Sequence, residues 1–193
     1  MINEEGFNFT ACLYNFILSL VFQSKKMKRK QLTLFVDAHE SGTIEKIRSA
    51  FNPVQFRLIK SHVTLCREDE IEKIDGVIEN ILNSGIKSIS IEFSAVTRFA
   101  DDKGVMLPAT VNNQQFKSLR NQILKGIIDE PRDHHPHITL IHPANATCTR
   151  QDFALIKKNK FPDHLTFNMI SLIEQDNGGP WKVLRQFNLK EIQ

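Results

Sequence analysis

The spacing of apolar residues along the chain predicts strands interleaved with helices. Runs rich in β-branched and apolar residues predict strands at 31–37, 57–65, 88–93, 105–109 and 137–141. Two more runs predict a closing hairpin around the turn residues 176–180, with strands at 165–174 and 182–187. Apolar residues at helical spacing predict helices at 41–50, 71–82 and 116–127. With a hairpin loop predicted at 98–104, this order indicates an α+β or α/β fold with largely antiparallel pairing.

A separate apolar run, residues 7–22, precedes the first predicted strand. It is shorter than the roughly 20 residues of a spanning helix. Acidic residues precede it and basic residues follow it, the reverse of a secretory signal. Met27 begins the segment MKRKQLTLFVDA, which leads directly into a strand pattern. We therefore interpret 1–26 as an N-terminal extension and 27–193 as the functional domain. A start-site extension, a loosely attached helix and a weak membrane anchor remain open for the first segment.

Composition and charge narrow the class of protein. A chain of 193 residues with 41% apolar and 24% charged residues is typical of one folded domain that needs no disulfide or metal for stability. The net charge of +3 permits an anionic ligand but does not indicate a nucleic-acid coat. Cys12, Cys66 and Cys148 are scattered and odd in number, which favours a reducing compartment. We therefore expect a cytoplasmic protein.

One four-residue motif occurs twice. Residues 62–65 (HVTL) return 75 residues later as 137–140 (HITL), and each copy lies in a predicted strand. Because successive side chains of a strand face opposite sides, the His and Thr of each copy project together, away from the apolar pair. A repeat of this kind is typical of two lobes related by duplication. The sequence therefore predicts that the two polar faces meet in one cleft.

Two imidazoles and two hydroxyls suit chemistry at a phosphodiester. His62 and His137 titrate near neutral pH, so one can take a proton from water while the other protonates a leaving oxygen. Thr64 and Thr139 can donate hydrogen bonds to non-bridging oxygens as charge builds there. This set needs no metal, and we predict neither a metal nor another cofactor. A chance repeat of β-prone sequence is the alternative interpretation.

The motifs, which stand as SHVTL and PHITL, resemble the pair that defines the 2H phosphoesterase superfamily. That group includes 2'-5' RNA ligase-like proteins and cyclic nucleotide phosphodiesterases, and the resemblance covers roughly residues 31–190. It implies an α+β fold of two pseudo-symmetric lobes around a central cleft, each with an antiparallel sheet and outer helices. It also implies that His62 and His137 are the acid/base pair, and that Thr64 and Thr139 hold the phosphate.

The resemblance further implies a metal-independent phosphodiesterase that opens 2',3'-cyclic phosphates of nucleotides or RNA ends to 2'-phosphates. Two alternatives stay open: 2'-5' RNA ligation, and a non-catalytic module that binds RNA ends or nucleotides. The expected partner is a 2',3'-cyclic nucleotide or an RNA terminus. We expect a monomer, with no stable DNA partner and no membrane association. The two motifs are nearly identical, so the sequence does not say which histidine is the base.

Three further side chains are candidate substrate contacts. Lys60 shares the alternation of the first motif and Arg67 follows that motif, so either can meet a phosphate or remain a solvated rim residue. Phe99 lies in the predicted hairpin loop, where it can stack on a base or cover an edge of the core. We interpret His134 and His135 as residues of a solvated loop rather than as metal ligands.

Overall fold

The computed structural model describes residues 27–83 and 85–190. The predicted extension 1–26 lies outside the described residues. The first half contains β1 Lys28–Phe35, α1 Gly42–Phe51, α2 Pro53–Leu58, β2 His62–Cys66, a 3-10 turn Glu68–Glu70, α3 Ile74–Asn83, β3 Ile89–Glu92 and β4 Thr97–Arg98. The second half contains β5 Val105–Pro108, α4 Gln114–Leu124, β6 His137–Ile141, α5 Arg150–Lys157, β7 His164–Phe167, β8 Met169–Asp176 and β9 Lys182–Asn188. Within the described ranges, none of these helices has the length and apolar character needed to cross a membrane.

Antiparallel pairing dominates the sheets. Seven strands form one sheet in the order β4-β5-β6-β2-β1-β8-β9, and β3 pairs with β7 in a second, two-stranded sheet. Every named strand pair in both sheets is antiparallel. The predicted α+β class with antiparallel sheets is therefore confirmed.

The two motif strands lie side by side at the centre of the large sheet, where Val63 of β2 pairs with Ile138 of β6. On one side β1 pairs with β2, and on the other β5 pairs with β6. Each outer strand connects to its motif strand through helix, α1 and α2 in the first half and α4 in the second. The two related halves of the fold thus meet along β2 and β6, and they bring both motifs to one place.

A continuous apolar core fixes the orientation of the central strands. Helix α1 buries Ile44 and Ile47, and α4 buries Phe116, Leu119 and Ile123. Burying a side chain of this size contributes about 1.5–3 kcal/mol. A register slip of one residue would move the motif His and Thr side chains into this core and expel apolar residues. Packing of the core therefore holds the polar side of each motif outward.

The predicted strand at 57–65 is wrong in its first half. Helix α1 ends at Phe51, one residue beyond the predicted end, and Pro53 stands at the first position of α2. Proline suits that position because its fixed φ matches the helix, and because a backbone N–H at the first helical position would have no partner within the helix. Helix α2 continues to Leu58, and the strand begins only at His62.

The predicted strand at 165–174 is two strands in different sheets. The residues facing the core are Leu165 and Phe167 in β7, but Ile170 and Leu172 in β8, so the alternation changes phase at Asn168. Strand β7 pairs with β3, whereas β8 pairs with β1 and β9. The predicted loop at 98–104 connects β4 with β5, so β3 is not part of that hairpin.

Candidate active site

Both motifs show the burial pattern that strand alternation predicts. Their apolar residues are fully buried: Val63, Leu65, Ile138 and Leu140. Their polar residues are partly exposed: His62, Thr64, His137 and Thr139. The polar side of the paired strands β2 and β6 therefore presents two imidazoles and two hydroxyls on one surface.

The antiparallel register crosses the two motifs. Since Val63 stands opposite Ile138, His62 stands opposite Thr139 and Thr64 opposite His137. The two histidines are then diagonal neighbours, and such positions lie about 7–8 Å apart in an antiparallel pair. That spacing fits one phosphate group with a hydrogen bond of about 2.8 Å on each side.

Both imidazoles are anchored through Nδ1 to the carbonyl two residues earlier. His62 Nδ1 lies 2.8 Å from the Lys60 carbonyl oxygen, and His137 Nδ1 lies 3.0 Å from the His135 carbonyl oxygen. A carbonyl oxygen only accepts hydrogen bonds, so Nδ1 carries the proton and donates in both rings. Nε2 is then the nitrogen that takes up or gives away a proton in each ring.

An aromatic ring packs edge-on against each histidine. The ring centroids of Phe35 and His62 are 6.1 Å apart, and those of Phe99 and His137 are 5.5 Å apart. The structure thus places Phe99, a predicted substrate contact, directly against the second motif. Phe35 was missed by sequence analysis, although its position at the end of β1 opposite His62 follows once the strand register is known.

Both motif histidines have lowered pKa values. Burial of the charged form lowers the pKa of His62 to about 4, and the nearby charge of Arg48 acts in the same direction. Burial also lowers the pKa of His137, against an opposing contribution from its hydrogen bond to the His135 carbonyl. Both rings are therefore neutral at pH 7 in the unliganded protein. A bound phosphate anion would favour the imidazolium form and raise these pKa values.

The interpretation of His134 as a solvated loop residue is wrong. Its Nε2 donates to the Thr64 carbonyl oxygen at 3.1 Å, and its ring stacks on Phe116 at a centroid distance of 6.0 Å. Its ring also lies 6.5 Å from that of His137. Burial lowers the pKa of His134 to about 4. His134 thus connects the two motifs, whereas His135 is exposed, as expected.

The two basic residues predicted as substrate contacts differ in their distance from His62. Lys60 lies before β2, so it does not share the strand alternation, and its backbone carbonyl is the group that reaches His62. Arg67 follows the far end of β2, roughly 16 Å along an extended chain from His62. Its side chain is exposed, and its backbone N–H donates to Glu70 Oε2 at 2.9 Å.

Two other kinds of site, a metal cluster and a surface cavity, are alternatives to the motif pair in the part of the chain that the structure describes. No three or more His, Cys, Asp or Glu side chains there are grouped so that they could hold a metal ion. A cavity of about 560 Å³ lies between the segment 85–89 and α4, and it includes none of the four motif residues. The repeated motif therefore remains the best candidate site.

Comparisons with known proteins extend these observations. Residues 35–179 match the family model described as the 2'-5' RNA ligase superfamily. No curated protein matches the chain at the level of sequence.

Solved structures match the fold at low sequence identity. A crystal structure of a phosphoesterase aligns with a TM-score of 0.60 and 15% identity, and the match covers 85% of this chain and 99% of that one. E. coli LigT complexed with 3'-AMP aligns with a TM-score of 0.58 and 16% identity, covering 84% and 98%. The protein TT0787 of Thermus thermophilus aligns with a TM-score of 0.55 and 13% identity, covering 86% and 100%.

Proposed function

Because the chain belongs to the 2'-5' RNA ligase superfamily, we propose that it is a phosphodiesterase that opens 2',3'-cyclic phosphates of nucleotides or RNA ends. The predicted resemblance to the 2H phosphoesterase superfamily is confirmed by the match over residues 35–179. The observation that supports the proposed activity is the crossed pair of motifs, in which each imidazole keeps Nδ1 on a carbonyl and leaves Nε2 for proton transfer.

Opening of the cyclic phosphate requires that one proton is removed from water and another is supplied to the leaving oxygen. One Nε2 takes a proton from water as the water oxygen forms a bond to phosphorus. The other Nε2 protonates the 3' oxygen as its bond to phosphorus breaks, which leaves a 2'-phosphate and a 3'-hydroxyl. Thr64 and Thr139 donate hydrogen bonds to the non-bridging oxygens, where negative charge increases in the transition state.

A nucleotide or an RNA terminus is the proposed ligand. LigT, which shares this fold, has been crystallised with 3'-AMP, a ligand with a sugar and a phosphate. Phe99 lies beside His137 with its ring partly exposed, so it remains available to contact a sugar or base. The cytoplasmic location remains a prediction, and it is consistent with the free thiols of Cys66 and Cys148.

Hydrolysis is expected to be independent of metal ions. We expect purified protein incubated with 2',3'-cyclic mononucleotides, and with oligonucleotides that end in a cyclic phosphate, to form 2'-phosphate products at the same rate with and without excess EDTA. The physical reason is that imidazolium and threonine hydroxyls supply the charge stabilisation that a Lewis acid would otherwise provide. Loss of activity with EDTA, with recovery on addition of zinc or manganese, would contradict the mechanism.

The pH dependence of kcat/KM is expected to reflect the lowered histidine pKa values. The active form needs one neutral and one protonated ring, and both pKa values lie below the usual 6.5 in the free protein. Above the higher pKa, the protonated acid is lost, so kcat/KM should fall by roughly tenfold per pH unit between about pH 6.5 and 8.5. On the acid side kcat/KM falls again as both rings become protonated, and the pKa of His62, about 4, is one of the two ionisations.

The decrease of kcat at high pH should occur at a higher pH than the decrease of kcat/KM, because a bound phosphate anion raises the pKa of the histidine that acts as the acid. Steady-state kinetics over this range, with folding checked by circular dichroism at each pH, measures both profiles. A value of kcat/KM that stays constant or rises from about pH 6.5 to 8.5 would contradict the assignment.

A further inference from the structure

An ion pair between a buried arginine and a partly exposed glutamate holds the segment that leads into the first motif. Arg48 of α1 is only 1% exposed, and its Nη1 lies 2.7 Å from Glu45 Oε2. Its Nη2 donates to the Ile59 carbonyl oxygen at 2.7 Å. The other oxygen of the carboxylate, Glu45 Oε1, accepts a hydrogen bond from the Ser61 backbone N–H. Glu45 and Arg48 therefore bind the main chain at two points, just before His62.

The Ser61 N–H and the Lys60 carbonyl belong to the same peptide unit. Because a peptide unit is planar, holding the N–H on one side fixes the direction of the carbonyl on the other. That carbonyl accepts the hydrogen bond from His62 Nδ1. A chain of hydrogen bonds thus runs from Glu45 through the peptide to the imidazole, and such chains strengthen their members by polarisation.

The second motif is built differently at the equivalent peptide. The carbonyl of His135 accepts the hydrogen bond from His137 Nδ1, but the following residue is Pro136, which has no N–H. A carboxylate therefore cannot hold that peptide in the way that Glu45 holds the peptide before His62. This difference breaks the symmetry between two motifs that are nearly identical in sequence.

We propose that Glu45 and Arg48 are positioning residues for His62: they fix the Lys60–Ser61 peptide, which keeps the proton on Nδ1 and turns Nε2 toward the phosphate. The role of Nε2 at a phosphate rests on the proposed function. The preference for the tautomer with the proton on Nδ1 is independent of that function, because it follows from the hydrogen bonds of the protein itself. The charged or titratable groups that act on His62 are Glu45 and Arg48 from α1 and His137 from β6.

Nitrogen-15 NMR of histidine-labelled full-length protein tests the tautomer directly, because protonated and unprotonated ring nitrogens have different chemical shifts. In the wild-type protein at neutral pH, we expect Nδ1 of His62 to be protonated. Glu45→Ala should populate both tautomers, because the peptide is released. Glu45→Gln should keep the wild-type tautomer, because its side-chain oxygen still accepts from Ser61 N–H.

Kinetics on a 2',3'-cyclic nucleotide provides the second readout. A displaced catalytic group costs up to about 10²-fold, so we expect Glu45→Ala to lower kcat by roughly 10- to 100-fold. KM should change by less than about threefold, because the imidazole acts mainly in the transition state. Glu45→Gln should stay within about threefold of the wild-type kcat. The matched control is Glu70→Ala, which removes a carboxylate from another buried arginine–glutamate pair that does not contact residues 59–62.

Arg48→Met is the second variant if Glu45→Ala does not fold, since it releases both Ile59 and the Glu45 carboxylate and should produce the same tautomer change. The proposal is overturned if folded Glu45→Ala or Arg48→Met keeps the Nδ1-protonated form alone. It is also overturned if Glu70→Ala shifts the His62 tautomer equally. A tautomer change without any activity on cyclic phosphates would support the positioning role and contradict the proposed function.

Discussion

His62→Ala and His137→Ala are each expected to lower kcat on 2',3'-cyclic nucleotides by about 10²–10⁴-fold, the usual range for a lost general acid or base. KM should change far less, because each imidazole acts mainly on a proton in transfer. The crossed register makes the two rings diagonal neighbours. In the proposed mechanism one ring therefore acts on each side of the phosphate, and neither can replace the other. Stopped-flow or chromatographic rate measurements on folded variants give the comparison.

Matched variants separate the histidines from their neighbours. Thr64→Val and Thr139→Val keep nearly the same shape and remove one hydroxyl, so the expected loss is smaller, up to about 10²–10³-fold. The double histidine variant should be little slower than the slower single variant, since groups that act together are not additive. If either single histidine variant folds and turns over at the wild-type rate on every cyclic phosphate tried, the two-histidine mechanism is wrong.

Glu70→Ala is expected to reduce the free energy of unfolding by about 3–5 kcal/mol, because it leaves a buried arginine without its counter-charge. Glu70 is 2% exposed and its Oε1 lies 2.6 Å from Arg120 Nη2. Arg120 also donates to the Leu65 carbonyl, and Arg132 Nε lies 3.4 Å from the same carboxylate oxygen. Urea unfolding at neutral pH measures the loss.

The difference between wild-type and Glu70→Ala protein should shrink in acid. Burial tends to raise the pKa of Glu70, but hydrogen bonds from Arg120 and the Arg67 N–H outweigh it and the net pKa is lowered. A lowered carboxylate pKa contributes stability above the unfolded value of about 4.3 and loses it as pH falls through the folded value. The more exposed pair of Lys28 and Glu174 at the surface is the control, and Glu174→Ala should cost less than about 1 kcal/mol. Equal costs for the two variants would contradict the role of the buried pair.

The part of the site that depends on strand periodicity could be predicted from the sequence. Alternation alone gives the facing of His62, Thr64, His137 and Thr139, and the structure shows that facing. The register of β2 against β6, which crosses the motifs, depends on packing of residues far apart in the chain. No local pattern contains that information.

The surroundings of the motifs could not be predicted for the same reason. Phe35 and Glu45 were missed and His134 was misinterpreted, because their contacts are with residues 16–70 positions away and none of them lies in a motif. The sequence predicts β7 and β8 as one strand, because only a single residue, Asn168, separates them. Helix α5 carried a local signal, the capping box between Thr149 and Asp152, which sequence analysis did not use.

The most direct test of the central claim is the origin and position of the product oxygen. Full-length protein is incubated with adenosine 2',3'-cyclic phosphate in water enriched in oxygen-18, with and without an oligonucleotide that carries a free 5'-hydroxyl. We predict adenosine 2'-phosphate with one heavy oxygen by mass spectrometry, formed at least about 10²-fold more slowly by either histidine-to-alanine variant. A 3'-phosphate product, formation of the 2'-phosphate by a histidine variant at the wild-type rate, or no product from the wild-type protein would contradict the mechanism. An unlabelled 2'-5' linkage to the oligonucleotide in place of hydrolysis would assign the site to ligation.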